Sequence, residues 1–164
     1  MPLLKASLFL MPAGLAMLAM SPVAGRLERR WGPKPLLVSG AAIMGAGYAI
    51  AVLTDLHAGH ILLINVLIGI GIGLGYAAMP TLIMRAVPAS ETGAANGLNT
   101  LMRSLGTATA AAVIATVLAR YSVDVGGVSL PSTAGFETAF VFGLGAAVLC
   151  AGIALFIPRT ELAA

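Results

Sequence analysis

The chain has 164 residues, of which 59% are hydrophobic and only 9% charged, and its mean hydropathy is +1.00. A soluble domain carries about 25% charged residues, so this composition excludes an ordinary water-soluble fold and makes lipid the solvent. The formal net charge of +3 is divided among short loops with no continuous basic face, so no nucleic-acid partner is expected.

Apolar runs matched to the ~30 Å hydrocarbon core recur along the sequence. They predict an all-α membrane protein, a single transmembrane domain over residues 1–164 with about five transmembrane helices. The first span, about 6–25, contains Pro12, extends past Pro22 and meets a basic turn. It is too long for a cleavable signal peptide and is expected to stay in the mature protein. The turn at 26–35 carries four cations, Arg26, Arg29, Arg30 and Lys34, and leads into a second span at about 36–54. A polar link at 55–60, too short to fold independently, precedes a third span at about 61–84, which Arg85 and Pro88 follow. Ser90-Glu91-Thr92 offers helix-capping chemistry for a fourth span at about 91–119, whose first third is less apolar than the rest. Residues 121–135 form the longest loop, and a fifth span at about 136–157 is closed by Pro158-Arg159.

Short loops rich in Lys and Arg stay on the cytoplasmic side. One face receives Arg26, Arg29, Arg30, Lys34, Arg85 and Arg159, the other Lys5 and Arg120, a balance of six to two. The expected protein is therefore multi-pass, with its amino terminus outside and its carboxyl terminus in the cytoplasm. A start on the outer face without a leader carries the expectation that further chain precedes it.

The segment Gly25-Arg26-Leu27-Glu28-Arg29-Arg30-Trp31-Gly32-Pro33-Lys34 resembles the signature cytoplasmic loop of the major facilitator superfamily, roughly Gly-x-Leu-x-Asp-Arg-x-Gly-x-Arg. Gly25, Leu27, Arg30, Gly32 and Lys34 fit it, while Arg29 takes the usual acidic position with Glu28 one residue earlier. The family's carboxylate contact is therefore not carried over to this position, and the competing reading of the loop is a positive-inside anchor. Leu10-Met11-Pro12-Ala13-Gly14, Ser21-Pro22-Val23-Ala24-Gly25, the run 69–75 and the run 93–103 are similar to late helices of the fourteen-span drug:proton antiporter branch. The resemblance implies the last five helices of the carboxyl-terminal half, without that half's first helix or the amino-terminal half. It implies proton-coupled export of small amphipathic drugs by alternating access across a bacterial inner membrane, with the lipid bilayer, a small-molecule substrate and protons as partners. The chain would be incomplete on its own, needing the missing helices or self-association. The alternative, from a different class, is a non-transporting truncated remnant or a helical membrane module that packs with a partner.

Gly69, Gly71, Gly73 and Gly75 make two overlapping Gly-x-x-x-Gly pairs on adjacent helix faces, suited to close packing or to bending. By resemblance the third span borders the substrate cavity, so Asn65 and Tyr76 are candidates either for cargo contact or for interhelical hydrogen bonds. Arg103 is an ionisable group inside a span and so a functional candidate. It lies 17 residues from Arg120, about 25 Å of helix, so the two could instead snorkel to opposite interfaces; facing the cavity with Asn99, Arg103 would hold an anionic group or gate it. Every carboxylate falls in a loop or at a span end, so the proton carrier is expected elsewhere. His57 and His60 have metal-ligand spacing but no further ligands, which favours two solvated loop histidines over a metal site. Cys150, the single cysteine, permits neither an intramolecular disulfide nor a cysteine-based metal site. The glycines at 69–75 lack the Lys-Ser/Thr ending of a phosphate loop, and no nucleophile-base-acid set is present. Neither a cofactor, nor ATP-driven transport, nor an enzyme is expected.

Overall fold

Five long helices make up most of the computed structural model, which describes residues 3–54, 57–125 and 127–157. They are α1 (Leu3–Trp31), α2 (Pro33–Leu53), α3 (Ala58–Ala86), α4 (Thr92–Arg120) and α5 (Thr133–Phe156). A single 3₁₀ turn, Ala89–Glu91, leads into α4, and a two-stranded hairpin, β1 (Ser122–Val125) and β2 (Val128–Pro131), joins α4 to α5. Among the described residues four helices are long and apolar enough to cross a membrane: Pro33–Leu53, Gly59–Ala86, Ala89–Arg120 and Thr133–Phe156. α1, of 29 residues, is the fifth and lies along α3. Of the sequence features above, Asp55 in the polar link and Pro158, Arg159 and Glu161 at the closing end lie outside the described residues, as does the side chain of Lys5.

The basic turn is far tighter than the expected ten-residue loop. α1 continues through Arg26, Arg29 and Arg30 to Trp31, and only Gly32 separates it from α2. Pro33 makes this possible, because its fixed φ suits the first helical position and its missing N–H is one that a helix start leaves unpaired. Gly32 takes a φ of +81°, a left-handed conformation natural to glycine, and donates its N–H to the Glu28 carbonyl at 2.8 Å. Arg29 and Arg30 therefore project from the last turn of a helix, where its dipole favours cations.

The connection after α4 also differs from the loop expected at 121–135. Val123 pairs with Leu130 and Val125 with Val128 in an antiparallel register, and the Asp124 carboxylate accepts the Gly127 N–H at 2.8 Å. At the start of α4, Glu91 occupies the N-cap position without a side-chain cap bond, and the Thr92 hydroxyl instead donates to the Ala89 carbonyl at 2.9 Å. A side-chain cap does open α5, three residues before the expected start: the Ser132 hydroxyl accepts from the Gly135 N–H at 3.3 Å.

α3 is the hub. A Cβ built on Gly69 would collide with the Ala13 carbonyl of α1, and one on Gly73 would lie 3.1 Å from Met20 Cβ of the same helix. On the adjacent face, a Cβ on Gly71 would collide with Met44 of α2 and come within 2.6 Å of the Gly40 carbonyl. Gly75, one turn on, faces Leu37 of α2 at a looser 4.0 Å. Nearer the basic end, Ala24, Leu36, Leu37, Leu74, Ala78 and Ala154 form a buried cluster joining α1, α2, α3 and α5.

Candidate transport surface

α4 stands apart from this body. None of its residues is buried, against 33% of an apolar 18-residue stretch in α2 and in α3. At about 100° per residue, Thr92, Asn96, Asn99, Thr100, Arg103 and Thr107 fall within roughly a third of its circumference, with Leu98, Leu101, Met102 and Leu105 on the other side. Hydrocarbon offers no water to unpaired donors, so a polar stripe there must bond internally. The Thr100, Ser104 and Thr107 hydroxyls each donate to the carbonyl four residues earlier, at 3.0, 3.0 and 2.9 Å. The Asn96 amide does the same to Thr92 at 3.1 Å.

Arg103 is the one charge on this stripe. It lies eleven residues into α4, about 16 Å from the basic end at ~1.5 Å per residue. Its guanidinium carbon sits 4.4 Å from the centroid of the Tyr76 ring on α3, so the negative face of the ring partly offsets the cation, an interaction worth about 0.5 to 2 kcal/mol depending on hydration. Among the described residues no carboxylate forms an ion pair with it. Tyr76 and Arg103, candidates on separate helices, are thus brought together. Asn99 lies one turn below Arg103 on the same stripe and is half-buried. Asn65 lies on the same side of α3 as Tyr76 but about three turns away, and its amide donates to the Ile61 carbonyl of its own helix at 2.9 Å.

The signature residues surround the α1–α2 turn. Gly25 is half-buried in α1, Leu27 packs on the buried cluster, Arg29 and Arg30 are exposed and Gly32 is buried. Lys34 makes a contact that its place in the sequence does not announce: its Nζ donates to the Leu155 carbonyl at 2.8 Å and to that of Ile157. These are carbonyls at the end of α5, which intrahelical bonding leaves unpaired. The only sequence hint is that α5 ends without a glycine cap or a basic residue in its last turn. His57 and His60 stack at 5.8 Å between ring centroids, and among the described residues no group of three or more His, Cys, Asp or Glu side chains could hold a metal ion.

No solved structure matches the chain. The drug efflux pump JefA of Mycobacterium tuberculosis (strain CDC 1551 / Oshkosh) is 33% identical over 132 residues, 79% of this chain and 25% of that protein. The multidrug resistance protein Stp of the same strain is 28% identical over 115 residues, covering 70% and 21% respectively. The lincomycin resistance protein LmrB of Listeria monocytogenes serovar 1/2a is 29% identical over 170 aligned positions, covering 96% and 36%. The chain thus spans between about a fifth and just over a third of these relatives. A family profile described as Major Facilitator Superfamily matches residues 2–163, nearly the whole sequence, and the chain belongs to that family.

Proposed function

We propose that this chain is one segment of a proton-coupled exporter of small amphipathic compounds, and that its polar α4 stripe, with Arg103 held over Tyr76, lines the path of the cargo. The observation that carries this reading is a charged group well inside an apolar helix, on a stripe of which no residue is buried by the rest of the described chain. Maintaining such a charge costs free energy, and it is by default functional. The kinship with proteins named for drug efflux and lincomycin resistance supports the cargo class. Alternating access moves two halves about a site near the midplane, so five helices need the rest of a transporter to run the cycle. Among the described residues Glu28, Glu91, Asp124 and Glu137 lie at helix ends or in the hairpin, and on this reading the proton-carrying group belongs to that remainder. We place the signature turn in the cytoplasm of a bacterial inner membrane.

The test is dye accumulation in liposomes with an imposed pH gradient. The chain alone should give none, whereas the chain reconstituted with the unmatched part of JefA should accumulate a cationic dye in a gradient-dependent way. Arg103→Ala should then slow accumulation about tenfold, the rate equivalent of some 1.4 kcal/mol, while Arg103→Lys retains part of it. Gradient-dependent uptake by the chain alone would overturn the segment reading.

A further inference from the structure

The polar stripe of α4 is largely a surface of hydrogen-bond acceptors. A hydroxyl has one proton to donate and two lone pairs with which to accept. Thr100 and Thr107 lie about one turn to either side of Arg103, and each commits its proton to a carbonyl of its own helix, so both oxygens are left with lone pairs to offer. The Asn96 amide nitrogen donates in the same way to Thr92, and its carbonyl oxygen is left to accept. On α3 the Tyr76 ring adds the negative face of an aromatic system, and at 41% exposure it can be reached from outside the helix bundle. The one cation among these acceptors rests on that ring, the Arg103 guanidinium carbon lying 4.4 Å from its centroid.

We infer that the Tyr76 ring is the seat of a protonated amine carried by the cargo, and that Arg103 is its resident surrogate, displaced from the ring when cargo binds. This deepens the reading of the α4 stripe as a cargo path and rests on it. The cargo class follows from the partners on offer. An ammonium on the ring meets its negative face, and any further N–H or O–H groups of the cargo match the lone pairs of the stripe. A carboxylate would find one guanidinium and, beside it, oxygens whose protons are already committed. Arg103 is free to move because it is exposed and among the described residues no carboxylate forms an ion pair with it. Helical side chains lean toward the amino-terminal end, so Asn99, four residues earlier on the same face, is the natural acceptor for the displaced guanidinium. There the charge stays near the bound amine and repels it, which weakens binding and speeds release. Removing it should therefore tighten binding while slowing turnover, in line with the slower accumulation expected of Arg103→Ala.

Binding separates the alternatives, measured by fluorescence titration on the chain assembled in detergent with the unmatched part of JefA. Three probes share a dansyl group and an alkyl chain, and end in an ammonium, in its neutral N-acetyl form, or in a carboxylate. Arg103→Ala should tighten the ammonium probe about tenfold, within what one cation–π contact contributes, and leave the neutral probe unchanged. Tyr76→Leu should weaken the ammonium probe and cancel the gain when combined with Arg103→Ala, whereas Tyr76→Phe, which keeps a ring face, should retain most of the affinity. A gain in affinity cannot come from a protein that fails to fold. Ammonium binding that is absent, or that falls or stays level in Arg103→Ala, overturns the inference, as does a gain that survives Tyr76→Leu. A carboxylate probe that the unaltered chain prefers and Arg103→Ala loses would also overturn it, making Arg103 the seat of an anion. Gradient-driven dye uptake alongside either result leaves the exporter reading standing. The expected affinities without such uptake would fault that reading's transport step and leave the amine seat in place.

Discussion

Gly69 and Gly71 test whether this packing is as tight as its geometry indicates. A side chain at either position would meet backbone or side-chain atoms of α1 or α2 inside van der Waals contact, and the neighbour at Gly69 is a carbonyl that cannot rotate away. Gly69→Val should therefore push α1 off α3 at a cost of at least about 1–3 kcal/mol, the range for overpacked cores. Gly145, around which a Cβ would meet nothing within 4 Å, should accept alanine within about 0.5 kcal/mol. Heating both variants in detergent and following the monodisperse fraction by size exclusion checks the contrast; equal loss would mean that α1 and α3 are held by something other than this approach. The sequence contained the glycine spacing, and with it two adjacent faces. It could not say which helix each face meets, because that depends on how the connections bring α1 and α2 around α3. The same limit applies to Arg103: its cost in an apolar run is visible in one helix, but its partner Tyr76 is on another.

Among the elements, the turn between α1 and α2 shows how local chemistry and a distant contact combine. Pro33 and Gly32 make it tight, and tightness places Lys34 at the first turn of α2, beside the end of α5. Hydrogen bonds from a charged donor contribute about 1.5–3 kcal/mol. Lys34→Met should therefore fray the last turn of α5, seen as faster amide exchange near residues 153–157, with the exchange of α4 unchanged; uniform acceleration across all helices would indicate global destabilisation instead. The five apolar runs located the helices because a period-independent signal, length against bilayer thickness, is robust to errors of a few residues. The helix ends were less legible. The cations at 26–30 looked like a loop because charge usually marks one, yet nothing in Arg-Leu-Glu-Arg-Arg opposes helix, and α1 simply runs on. The hairpin was obscured by its length, since two four-residue strands are too short to stand out by alternation within a polar connection.

At the scale of the whole molecule, charge is distributed between two ends, and this fixes a testable orientation. The Lys34 contact and the shared cluster put the end of α1, the start of α2 and the ends of α3 and α5 on one side. Arg26, Arg29, Arg30, Lys34 and Arg85 gather there, while Arg120 stands at the other end with the hairpin. Basic residues close to span ends resist translocation, and carboxylates contribute little to the outcome, so Glu28 does not cancel its neighbours. The basic end should be cytoplasmic and the hairpin outside. Single cysteines at Arg30→Cys and Ser129→Cys, each in a Cys150→Ala background, separate the two orientations in intact cells. Both sites are exposed, so reactivity reads the side of the membrane rather than burial. An impermeant maleimide should label position 129 in intact cells and position 30 only after the membrane is opened. Labelling of position 30 but not 129 in intact cells would invert the orientation. It would also put the start of the polar α4 stripe, at the basic end, on the outer face, and the cargo path proposed above would then begin on the side from which export departs.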